Sequence, residues 1–172
     1  EDFKAIKAES SVGAVRIMSI HKSKGLEFPV VVLADCAKSF NEQGLYDPIL
    51  VHSELGFGAK VRDIERGIQY PSLERQAVEA RTRRESVSEE LRILYVALTR
   101  AKEKLILTAS SARLNAKLEK WARFAGMERL PDYAMGAVRE PLAWILTPLL
   151  RHPAAGVLRE RIRAVVPLDV NA

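Results

Sequence analysis

Cysteine is nearly missing from this sequence: Cys36 is the only one in 172 residues, which excludes an internal disulfide and any metal site built from several thiolates. A lone thiol in an apolar run fits a reducing cytoplasm. Long hydrophobic runs are missing too. No stretch reaches the roughly 18 uninterrupted apolar residues that span a bilayer, and the acidic start Glu1-Asp2-Phe3 is unlike a signal peptide, so no membrane role is expected. The initiator Met is missing as well, so an excised fragment is expected. There is no internal repeat, no low-complexity tract and no G-x-x-x-x-G-K-[ST] loop to cradle phosphates. Charge is not one-sided: 27 Lys and Arg against 22 Asp and Glu give +5, mildly attractive to phosphate backbones but not diagnostic. What remains is 48% hydrophobic content, enough for the core of one ordinary domain.

Residues 14–20 (AVRIMSI) alternate and predict a strand. Residues 29–36 (PVVVLADC) are continuously apolar and predict a second strand, buried on both faces as in a parallel sheet. Between them HKSKGLEF forms a polar loop around Gly25. From 37 to 71 Gly, Pro and Asn break the pattern, and PILVHSELGFGAKVRD reads as two short strands around a Glu-Leu-Gly-Phe-Gly turn, an insertion hairpin. From Ser72 to about Lys102 the sequence favours helix, with Leu91, Leu94, Leu98 and Ala101 on one apolar face. Lys104–Ser110 supplies a third strand, and helices are expected at 112–125, 138–151 and 154–165. Helix followed by strand makes this an α/β pattern.

Two stretches carry chemistry. MSIHKSKGLEF (residues 18–28) resembles motif V, and EELRILYVALTRAKEKLIL (residues 89–107) resembles motif VI, of superfamily-one helicases of the UvrD and RecB kind. Both occur in the family's order. The resemblance implies a partial RecA-like, P-loop-NTPase-like domain with a parallel sheet core, a small β-hairpin insertion and C-terminal helices. It places residues 1–12 at the end of a preceding region, 13–126 in the second motor domain with its insertion at 37–71, and 127–172 in a helical segment leading toward a nuclease domain. HKSKGLEF, the insertion running into an arginine-rich helix, and PLAWILTPLLRHP at 141–153 are similar to the AddA branch, whose members process double-strand ends in bacterial cytoplasm with an AddB-like partner.

Nucleotide held between two domains needs a cation that arrives when the domains close, and a guanidinium is planar, permanently charged and forked for phosphate oxygens. Arg100 meets that need. On spacing alone it reads as a surface arginine of a charged helix; within YVALTRA the resemblance gives it the arginine-finger role. Glu27, two residues after Gly25, has a carboxylate able to accept from ribose hydroxyls, and the family's matching glutamate binds the sugar. Ser19, His21, Lys22 and Lys24 offer donors for single-stranded DNA phosphates, the histidine position being the family's DNA contact. The implied cofactor is ATP with Mg2+, whose metal ligands and phosphate loop belong to the other domain. The expected function is that of a fragment of an ATP-dependent 3′-to-5′ DNA helicase in double-strand break repair, inactive alone. The alternative from another class is a non-catalytic helicase-like module that binds DNA or a partner protein.

Overall fold

The computed structural model describes residues 14–124, 127, 129 and 131–163. In chain order the elements are β1 (Phe28–Leu33), β2 (Ile49–His52), β3 (Gly56–Asp63), β4 (Ile68–Pro71), α1 (Leu73–Leu98), β5 (Ala101–Leu107), α2 (Leu114–Ala122), α3 (Asp132–Gly136), α4 (Pro141–Arg151) and α5 (Gly156–Arg163). Short 3-10 turns lie at His21–Ser23, Gln43–Tyr46 and Pro153–Ala155. β1 and β5 pair in parallel, while β2, β3 and β4 form a separate antiparallel sheet in that order. The result is the expected mixed α/β architecture, compatible with a partial RecA-like fold.

Several expectations are corrected. Residues 14–20 form no strand, and Val15 and Ile17 are exposed at 92% and 93%. Their alternation lacks a neighbouring strand among the described residues, and an isolated β segment is not stable in water. β1 is not buried on both faces: Val31 and Leu33 are half-buried, but Val30 and Val32 stand open. The insertion holds three strands rather than two, because Ile68–Pro71 returns to pair with Lys60–Asp63. The apolar face of α1 runs through Val78, Leu94 and Ala97, with Leu91 exposed and Ala101 already in β5. β5 therefore begins at Ala101 instead of Lys104. The three expected helices correspond to α2, α4 and α5 with shorter ends, and α3 is additional. The region 1–12 and residues 164–172 lie outside the described residues.

Local chemistry explains where the elements start and stop. Pro29 cannot donate to a ladder, and the β1–β5 register is irregular there: Phe28 faces Ala101, but Val30 faces Lys104. α1 begins because the Ser72 hydroxyl accepts from the Arg75 amide at 3.1 Å, and Glu74 in the first turn complements the helix dipole. The Glu74 carboxyl is lowered by its own backbone N–H and by the Ser72 side chain. α4 starts at Pro141, whose missing N–H costs nothing at that position, and the buried Glu140 before it is paired with Lys117 of α2.

One core joins the motor strands to the C-terminal helices. Cys36 just past β1 and Leu94 of α1 pack with Leu118, Trp121, Val138, Trp144 and Leu150, and Leu33 and Leu107 border the cluster from the sheet. Burial raises the Cys36 thiol above its usual range. Backbone bonds tie the layers: the Cys36 amide donates to Thr108, and the Leu142 amide donates to Cys36.

The antiparallel sheet sits on the N-terminal half of α1. Arg75, 2% exposed, donates to the carbonyls of Pro48 at 2.9 Å and Leu45 at 3.1 Å, so its charge is solvated by backbone rather than water. Gly58 lies against the helix backbone. A Cβ there would meet Arg75 Cα at 2.4 Å and Arg75 N at 2.6 Å, well inside van der Waals contact. His52 Nδ1 accepts from the Glu54 and Leu55 amides, so Nε2 carries the hydrogen and donates to Glu85 at 3.1 Å. That bond is the main reason the Glu85 carboxyl is held below the usual carboxylate range.

Two outcomes follow for stability. Gly58→Ala should cost about 1–3 kcal/mol through overpacking or lift the sheet from α1, as read by urea unfolding and by amide exchange in β2 and β3. Glu85 has a depressed folded-state pKa, so its contribution is full above the ordinary carboxylate range and is lost as pH falls through the depressed value. Melting temperatures of Glu85→Gln and wild type should therefore differ at neutral pH and converge in acid.

Candidate functional site

The two chemical stretches meet at the N-terminal end of the parallel pair. Glu27 precedes β1 and Arg100 precedes β5, and the Phe28 amide donates to the Arg100 carbonyl at 2.9 Å, so the strands enter the sheet side by side. The helix-to-strand junction is only two residues long. Thr99 closes α1 by donating its hydroxyl to Tyr95 at 3.0 Å or Val96 at 3.1 Å, and Arg100 follows at once.

The Arg100 side chain is half-buried and every guanidinium nitrogen has a partner. Nε donates to Val96 O at 2.9 Å, Nη1 to Leu26 O at 3.0 Å and Nη2 to Thr99 Oγ1 at 2.9 Å. A guanidinium carries five N–H bonds, so one on each terminal nitrogen stays available. This is the chemistry a phosphate needs: a fixed fork with two donors in reserve. The Arg100 group thus fits the γ-phosphate end of a nucleotide approaching from outside the chain. Glu27 is exposed and pairs with Lys102 of β5 at 3.0 Å. With one oxygen on Lys102, the other remains able to accept from ribose hydroxyls. No group of three or more His, Cys, Asp or Glu side chains placed to hold a metal occurs among the described residues, so they do not form a magnesium site of their own.

Ser19, His21, Lys22, Lys24 and Gly25 occupy the loop ahead of Glu27. It makes a 3-10 turn at His21–Ser23, fixed by Ser23, which is buried and donates its hydroxyl to Ile20 O at 2.6 Å. Ser19 Oγ accepts from the Lys22 amide at 3.4 Å, so its oxygen is engaged locally. His21, Lys22 and Lys24 are exposed, three donors on one turn. Gly25 has φ of +80°, which turns the chain toward β1 with open space around its Cα.

Three contributors do not stand out in the sequence. Lys102 holds Glu27, but that pairing depends on the β1–β5 register, which no local pattern reveals. Ser23 reads as one more polar loop residue, although it alone in HKSKG is buried. Thr99 reads only as the neighbour of Arg100; its hydroxyl in fact orients the guanidinium.

Residues 3–112 match the UvrD-like helicase C-terminal domain, and the chain belongs to that family. It is similar, more particularly, to proteins named as the AddA component of the ATP-dependent helicase/nuclease. The one from Acetivibrio thermocellus is 49% identical over 148 residues, 85% of this chain and 12% of the relative. That from Ruminiclostridium cellulolyticum is 48% identical over 147 residues, 84% of this chain and 12% of the relative. That from Clostridium kluyveri is 43% identical over 159 residues, 91% of this chain and 13% of the relative. The chain therefore spans about an eighth of the length of these relatives.

Backbone strain at Gly25 gives a test of the loop. Gly25→Val should destabilise the chain by about 1–2 kcal/mol because a β-branched side chain resists positive φ, whereas Gly25→Asn should cost distinctly less. Equal denaturation midpoints for the two variants would contradict a left-handed residue at this turn.

Proposed function

We propose that the chain is the motif V and motif VI part of an ATP-dependent 3′-to-5′ DNA helicase, within a helicase–nuclease polypeptide that works on double-strand breaks in the bacterial cytoplasm. Residues 13–126 are part of its second motor domain, and 127–172 lead toward a nuclease domain while α4 closes the motor core. The observation that carries the reading is the Arg100 guanidinium, fixed by Val96, Leu26 and Thr99 with two N–H donors to spare. A half-buried arginine held this way has its entropy already removed and is ready for phosphate.

ATP with Mg2+ supplies the transferable phosphoryl group, and its main cradle lies on another domain of the parent. Arg100 neutralises charge at the γ-phosphate across the closing cleft. Gly25 lets the loop turn so that Glu27 faces the ribose, with Lys102 setting the carboxylate's orientation. His21, Lys22, Lys24 and Ser19 meet the backbone of single-stranded DNA. Nucleotide and DNA contacts thus share one loop, so a phosphate that draws on Arg100 also acts on the segment braced through Leu26. Alone, the chain holds half of a nucleotide site and does not hydrolyse ATP. In the parent its companions are DNA and an AddB-like protein.

The test is made in the full-length parent with its partner. Arg100→Ala should lower DNA-stimulated ATP turnover by about 10³-fold or more while nucleotide affinity changes far less, because a finger acts chiefly on the transition state. Arg100→Lys should not restore turnover, since an ammonium cannot reproduce the fork. Turnover of Arg100→Ala within tenfold of wild type would refute the finger role and leave a non-catalytic module as the better description.

A further inference from the structure

Antiparallel sheets that pack one face on a helix normally turn a polar face to water. The β2–β3–β4 sheet does the reverse. Val51 opposes Phe57, and Val61 opposes Tyr70, so these side chains share a face with Ile49 and Ile68, directed away from α1. All six are between 40% and 78% exposed. The inward face carries Leu50, His52 and Gly58 against α1 and then becomes polar at Lys60 and Arg62. The apolar face therefore points outward across all three strands, a larger patch than single scattered hydrophobes make.

The chemistry of the face selects its occupant. Asp63, opposite Ile68, is the one charged residue in this outward register, and no Lys or Arg joins it. Nucleic acid needs cations beside its stacking platforms, so phosphate is disfavoured and a protein surface is favoured. The two outer strands β2 and β4 are open edges in the described residues, and an apolar face between open edges invites aggregation whenever a dissociable partner leaves. A surface tethered to the same polypeptide stays at millimolar effective concentration. Such surface is abundant in the relatives, because this chain covers only 12% of the Acetivibrio protein.

We infer that the outer face of the β2–β3–β4 sheet is covered permanently and in cis by an apolar surface from elsewhere in the parent polypeptide. This rests on the reading that the chain is part of a helicase–nuclease polypeptide. The face then serves to fix the insertion, and through it α1, to the body of the parent.

Site-specific labelling of the full-length protein tests it. Val51→Cys and, as an exposed control at a strand-connecting turn, Arg66→Cys are treated with a maleimide and read by peptide mass spectrometry. Labelling at position 51 should be at least tenfold slower than at 66, and a photo-reactive benzoylphenylalanine at position 57 should cross-link to peptides of the same polypeptide outside these 172 residues. Equal labelling rates overturn the proposal, as do cross-links running only to a second copy, another protein or DNA. The mass of the purified polypeptide separates the two readings: a product no longer than these residues sinks the parent assignment and the covering with it. A long product with a fast-labelling face sinks the covering alone.

Discussion

The contact between the Arg100 guanidinium and the Leu26 carbonyl joins stretches 74 residues apart, and the functional edge is organised around it. Without it the 19–27 loop would be attached to the sheet only through β1. With it, the loop is pinned to the end of α1, so its position depends on what else the guanidinium is asked to bind. A hydrogen bond from a charged donor contributes roughly 1.5–3 kcal/mol, comparable to what a competing phosphate oxygen offers. The brace is therefore strong enough to order the loop and weak enough to be exchanged.

Around that contact the fold does unequal work. The parallel pair sets Glu27 and Arg100 at one end, while the other end runs into the core through Cys36, Thr108 and Leu142. The core is asymmetric: α1, α2 and α4 cover one face of the sheet, and Val30 and Val32 stand open on the other. A segment with this pattern is a part whose remaining surfaces are matched elsewhere, in keeping with relatives about eight times its length.

Much of this is legible in the sequence wherever local chemistry decides the outcome. Ser72 ahead of a charged, Gly-free run marks the start of α1, Pro141 marks α4, and HKSKGLEF with YVALTRA marks the two functional stretches. What stays hidden is set by tertiary pairing. AVRIMSI alternates like a strand but has no neighbour to bond among the described residues, and Ile68–Pro71 becomes a strand because Lys60–Asp63 lies beside it. Lys102 reaches Glu27 only through a register that Pro29 itself disturbs. Arg75 is one arginine among many in its helix, and nothing local sets it apart as the residue buried under the insertion.

α1 is 26 residues long with neither glycine nor proline inside it, so it spans about 39 Å as a stiff rod. One end is locked beneath the insertion by Arg75, and the other ends two residues before β5. Such a strut neither compresses nor bends easily, and a push on the insertion is conveyed lengthwise to the Thr99–Arg100 junction. Anchoring at one extremity thus governs how freely the guanidinium at the opposite extremity can travel.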